Sequence, residues 1–114
     1  VKLWTQEVHK TANYTCLASD SGSLFIQDSG TLTFTLPTLL AVPDFIAFFL
    51  NVSATAMAIT APAGKLIVDG SATATTGTFS TASHIIGSAC MVFLNTAQTF
   101  FHLVNFGGTV CTTS

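Results

Sequence analysis

The stretch that decides the fold runs from Phe45 to Val68, FIAFFLNVSATAMAITAPAGKLIV. It opens with Phe45, Ile46, Phe48, Phe49, Leu50 and Val52, apolar at odd and even positions alike, the pattern of a strand covered on both faces. A small polar link, Ser53 to Thr55, leads to a second run in which Met57, Ile59 and Ala61 alternate with Ala58 and Thr60. Pro62-Ala63-Gly64 is a turn signal, and Leu66-Ile67-Val68 forms a third run before Asp69-Gly70. Three strand-length pieces in so short a segment leave no room for helices, so the middle of the chain reads as all-β.

Upstream, Thr31 to Pro37 (TLTFTLP) alternates cleanly: Leu32, Phe34 and Leu36 face one way and the threonines the other, as in a strand with one buried face. Before it, Tyr14 and Cys16 open a strand signal that ends in the turn cluster Ser19 to Ser23, and Leu24-Phe25-Ile26 is closed by Asp28-Ser29-Gly30. Thr38 to Asp44 reads as a connection or a single helical turn. Downstream, the Thr-rich residues 71–83 read as a loop or edge strand. His84-Ile85-Ile86, Ala89 to Leu94 and the long run Thr99 to Phe106 follow, with Gly107-Gly108 before a last short run that ends in Cys111. Eight to ten short strands at this spacing predict one all-β domain, an antiparallel β-sandwich over residues 13–114. Residues 1–12 lack a sustained strand period and read as an N-terminal arm anchored by Trp4; the competing reading is a first strand that carries a core Trp.

Composition narrows the function. Of the 114 residues 49% are hydrophobic but only 7% are charged, against about 25% in an ordinary soluble domain. Beyond Gly70 there is no Asp, Glu, Lys or Arg. Exposed surface normally carries charge that keeps molecules apart, so this third of the chain is expected to lie against other chains, unless Ser, Thr and Asn alone keep it wet. Neighbours such as Phe48-Phe49 and Phe100-Phe101 point to opposite faces of a strand, so some rings must reach an outer face, a subunit interface or a host surface. A net charge of −2, with three lysines and no arginine, argues against a nucleic-acid partner. The most apolar window, Leu39 to Val52, is broken by Pro43-Asp44 and too short to span a bilayer as a helix, so no membrane partner is expected. No basic-then-apolar leader opens the chain, and synthesis in a reducing cytoplasm is expected.

Motifs for chemistry are sparse. Cys16, Cys90 and Cys111 show no CxxC spacing and read as core thiols. His9, His84 and His102 match no metal motif; His102, inside an apolar strand, is the one that three copies around an axis could bring together. No carboxylate pair, nucleophile elbow or phosphate loop is present, so neither an enzyme nor a cofactor is expected. Two sequons, at Asn13 and Asn51, arise easily in a Thr-rich chain. The candidate partner-binding residues are Lys2 and Trp4 in the arm, with Phe101 and His102 in the last long strand.

Taken together, TLTFTLP, FIAFFLNVS and ATAMAITAPAGKLIVDG resemble the small β-rich structural proteins of tailed bacteriophages, over residues 13–70 and more loosely to Gly108. The resemblance is to capsid decoration (cement) proteins and to modules in tail-fibre or receptor-binding heads. It implies a jelly-roll-like sandwich, a homotrimer, and binding to the major capsid protein on the outer surface of the virion. The chain has no collagen-like, coiled-coil or β-helical shaft, which favours a cement protein. The other implied reading is a tail-tip module that binds a host glycan or surface protein through exposed aromatics such as Trp4 or Tyr14.

Overall fold

The computed structural model describes residues 4–38, 44–68, 73–79, 86–95, 100–107 and 111–113. Twelve strands are found among them: β1 (Gln6–Lys10), β2 (Tyr14–Thr15), β3 (Ser23–Gln27), β4 (Leu32–Thr35), β5 (Ile46–Asn51), β6 (Met57–Thr60), β7 (Leu66–Val68), β8 (Thr73–Ala74), β9 (Thr76–Phe79), β10 (Ala89–Leu94), β11 (Phe101–Gly107) and β12 (Cys111–Thr113). One seven-stranded sheet has the order β1-β3-β5-β10-β11-β7-β8, and a five-stranded sheet the order β12-β9-β6-β4-β2. The three runs read in Phe45 to Val68 are β5, β6 and β7, and they fall in alternate sheets.

The sheets are mixed, which corrects the antiparallel expectation. β1 to β3, β3 to β5, β2 to β4, β4 to β6 and β7 to β11 are parallel. The cause is the path of the chain. From β1 to β6 each strand crosses to the opposite sheet, so a strand lies beside the one two places earlier and runs the same way. The turns after β1, β3 and β5 are therefore arches between layers and not hairpins within one. Antiparallel pairing returns where β10 joins β5 to β11 and β9 joins β6 to β12. The segment expected as an arm also joins the sheet: residues 6–10 form edge strand β1, and the Thr5 amide donates to the Gly22 carbonyl at 2.8 Å. Gly22 has a φ of +90°, and a Cβ there would come within 3.3 Å of Thr5 Oγ1, so the close passage of the N-terminal strand requires glycine.

Between the sheets lies one core. Phe25, Phe34 and Phe49 pack ring to ring at 5.2 to 5.9 Å, with Tyr14 against Phe25 and Phe45 edge-on to Phe101. Leu32, Phe34 and Leu36 of the alternating TLTFTLP stretch are buried there as its pattern predicts. Cys16 and Cys90 are buried in the same core.

Two amides hold the arches. Lys10, Gln27 and Asn51 end β1, β3 and β5 in one cross-strand row, and Gln27 and Asn51 are fully buried. Gln27 Nε2 donates to the Gly30 and Ala56 carbonyls at 2.7 and 2.9 Å, while its Oε1 accepts from the Leu32 amide. Asn51 Nδ2 donates to the Thr55 carbonyl at 2.7 Å and its Oδ1 accepts from the Ser53 amide at 2.8 Å. These bonds satisfy backbone groups that leave one ladder before joining the next. Asn13, exposed, does the same in part by accepting from the Thr33 amide. Gln27→Leu strips several buried partners at once and is expected to lower the unfolding free energy by about 3 kcal/mol, whereas Asn13→Ala costs about 1 kcal/mol or less. Urea denaturation of the two variants checks the order; equal midpoints would refute the role of the buried amide.

Candidate interaction face

The seven-stranded sheet is apolar on both sides. Phe25, Ala47, Phe49, Cys90, Val92, Leu103 and their neighbours point into the core. The alternate residues point outward. Register aligns Leu24, Phe48, Met91 and Val104 in one outer row, Ile26, Leu50 and Ala89 in a second, and Ile46, Phe93, His102 and Ile67 in a third. Leu24, Ile26 and Phe48 form a second hydrophobic cluster there, with Trp4, Ile46, Leu50 and Met91 packed against it. Covering the first sheet face is the fold's own need. Nothing in the fold requires the second face to be apolar.

Two aromatic residues shape this face. Trp4 lies edge-on to Phe48, with centroids 6.0 Å apart, and its buried Nε1 has no hydrogen-bond partner among the described residues. Phe106 belongs to a β-bulge where the β10–β11 register slips between Ala89 and Cys90; such an insertion re-aims a side chain. Its ring is 56% exposed. Between them lies an apolar concavity of about 160 Å³ lined by Trp4, Leu24, Phe48, Leu50, Ala89 and Phe106.

Charge collects at the β1 rim. Glu7 and His9 alternate with Val8, which packs on the core, so both project on the outer side next to Leu24 and Ile26. His9 Nδ1 lies 2.9 and 3.0 Å from the two Asp28 oxygens, and Nε2 is 3.9 Å from Glu7. The Asp28 hydrogen bond, reinforced by its charge, raises the His9 pKa above its ordinary 6.5. This exposed link ties the edge strand to the turn after β3, and charged side chains on an edge oppose sheet-to-sheet pairing.

Tyr14, Asp20 and Cys16 form a second group of interacting titratable side chains. Tyr14 donates to Asp20 Oδ2 at 2.7 Å, and Asp20 also accepts from the Leu17 amide at 2.8 Å. That bond to Asp20, then burial, pushes the Tyr14 pKa up to about 12. Burial, then the Asp20 charge, pushes the Cys16 thiol up to about 12, so it stays protonated and unreactive at neutral pH. Among the described residues no group of three His, Cys, Asp or Glu could hold a metal ion, and no helix is long and apolar enough to cross a membrane. Asn51 of the second sequon is fully buried and bonded, which leaves no room for a glycan in the folded chain.

Of the sequence candidates, Trp4 lies on the outer face. His102 is there too, stacked on Phe93 with centroids 5.2 Å apart and planes 15° apart. Phe101 is a correction: it is fully buried in the core, because its neighbour on the strand is the one that points out. Lys2 and His84 lie outside the described residues, as does the side chain of Cys111. Sequence reasoning missed Gln27 and Asn51; the available signal was an amide ending an apolar run just before a turn in both FIQDSG and FLNVSA. Comparison with family models, with curated proteins and with solved structures finds no match to this chain.

The His9–Asp28 link has a definite pH sign. Because the folded pKa is raised, its contribution to stability is fully present below 6.5 and is lost as pH rises through the folded value. The gap in urea midpoint between the wild type and His9→Gln is therefore expected to be wide in mildly acidic buffer and to close in alkaline buffer. A gap independent of pH would refute the ion pair.

Proposed function

We propose that this protein is a structural virion component: a homotrimeric capsid decoration protein, made in the host cytoplasm, that binds the major capsid protein on the outside of the assembled shell and stabilises it. The observation that carries the reading is the apolar outer side of the seven-stranded sheet, where Phe106 stands exposed beside a largely buried hydrophobic cluster, on a chain with very few charges. Such a surface serves association and not turnover. The resemblance of the strand motifs to phage cement proteins supplies the kind of partner. Trp4 and His102 are contact residues in this reading, joined by Phe106.

The mechanism is mass action. A protein that binds only the assembled shell stabilises it by RT ln(1 + [L]/Kd), about 2.7 kcal/mol per site at a free concentration one hundred times Kd. No catalytic group is needed. The tail-tip reading draws less support, since sugar recognition joins an aromatic platform to polar groups, and the concavity beside Trp4 is lined by apolar residues and alanine.

Mass spectrometry and electron microscopy of purified particles from the source of the sequence test this proposal. The chain is expected at a fixed ratio to the major capsid protein and as density on the shell exterior, and adding it to undecorated shells should raise the temperature at which they break. Absence from particles, or presence on tails alone with binding to a glycan array, would overturn it.

A further inference from the structure

We propose that the segment from Trp4 to Lys10 is a strap that lifts from β3 as a unit while the rest of the domain stays folded, with the His9–Asp28 contact as its pH-sensitive clasp. The two strands that meet here differ sharply in burial. None of residues 4–13 is buried, whereas all five residues of β3 are. β1 is an edge strand, and β3 is its one described neighbour. Two side chains of the strap pack on hydrophobic clusters, Val8 on the core and Trp4 on Leu24, Ile26 and Phe48. A segment with few buried contacts and an exposed ladder lies at the low end of local stability and opens without global unfolding. Trp4 Nε1, buried without a hydrogen-bond partner among the described residues, favours the same motion, because lifting the ring returns that donor to water. Lifting uncovers the outer cluster and one edge of β3, so the strap controls access to both.

The ties that close the strap sit towards its two ends. At the start, the Thr5 amide donates to the Gly22 carbonyl at 2.8 Å and Gln6 Nε2 donates to Ser23 Oγ at 3.0 Å. At the finish, the Asp28 amide donates to the Lys10 carbonyl at 3.0 Å, and Lys10 Nζ lies 4.3 Å from the centre of the Tyr14 ring. His9 on Asp28 is the tie that titrates near neutral pH. The charged groups that face His9 are Asp28, from the turn after β3, and Glu7 on its own strand. Leu24 and Ile26, the outward side chains of β3 beside it, carry no charge, and Lys10 lies on the other side of the strand over Tyr14. Asp28, and Glu7 more weakly, favour the protonated imidazole in the closed strap. Once the strap lifts, Asp28 is left behind and His9 returns to its ordinary value. The clasp therefore holds in acid and slackens as pH rises through the closed-state value.

Amide hydrogen exchange on the intact chain, followed by NMR at about pH 5.5 and about pH 8, on either side of the ordinary His value, tests the inference once protection is corrected for the intrinsic rate. The bonded amides of Thr5, β1 and Asp28 are expected to share one protection factor, at least about tenfold below that of the central strands β5 and β10. That shared value is expected to respond only weakly to urea below the unfolding transition, because lifting a strap exposes far less surface than unfolding the domain. Going from the acidic to the alkaline buffer is expected to lower it about two- to fivefold, the reach of one exposed ion pair. His9→Gln, at an exposed site, is expected to keep the fold and lose this pH dependence. Strap amides that exchange no faster than those of β5 would overturn the strap. Protection that does not fall with pH in the wild type, or that falls as far in His9→Gln, would overturn the clasp.

Discussion

The two buried amides at the arch corners are the constraint on which the rest depends. A chain that leaves one sheet for the other must break its ladder inside the protein, and every peptide group that loses a strand partner there must find another. Gln27 and Asn51 supply those partners from a single cross-strand row, each bonding to the backbone of the corner it starts. With the corners satisfied, β3 and β5 can lie side by side and parallel, and β4 and β6 can do the same in the facing sheet. The aromatic core of Phe25, Phe34 and Phe49 then follows, since those rings come from three strands that only this winding brings together.

Much of the layering was legible. The alternation in Thr31 to Pro37 correctly puts Leu32, Phe34 and Leu36 inside, and the unbroken apolar run from Phe45 correctly indicates a strand covered on both sides. Strand direction was not legible, because Asp28-Ser29-Gly30 has the composition of a hairpin turn whether the chain folds back within a sheet or arches across to the other. The two differ in a rotation of the chain that side-chain alternation does not encode. Phe101 and His102 show the same limit on a smaller scale: a strand apolar at both parities says that one residue faces in and the other out, and only pairing with Leu66 and Ile67 of β7 decides which. The bulge at Phe106 depends on a one-residue slip between β10 and β11 and has no local sequence signature.

The two apolar faces of the larger sheet do different work. Phe49 is buried by the fold itself, while Phe48, one residue away, reaches a similar depth under a layer made of Trp4 and neighbouring side chains. That outer layer is thin and ends at Phe106. The rim residues Glu7 and His9 of β1, with Asp28 of the turn after β3, mark where the apolar rows stop, at the edge that β1 leaves open. The charged side chains at that margin oppose pairing of the edge with another strand.

The winding of β1 to β6 also orders the folding of the chain as it leaves the ribosome. Each arch adds to the one before it, so the parallel half can be laid down from the N-terminus by joining strands close in sequence. The middle of the larger sheet cannot close in this way. β5 finds its second neighbour only in β10, nearly forty residues later, and until then one edge of this apolar strand stands unpaired. Late closure of a central strand is slow and exposes an edge to other nascent chains. For this protein the hazard of aggregation is greatest during synthesis, in the interval between the emergence of Phe45 and that of Leu94.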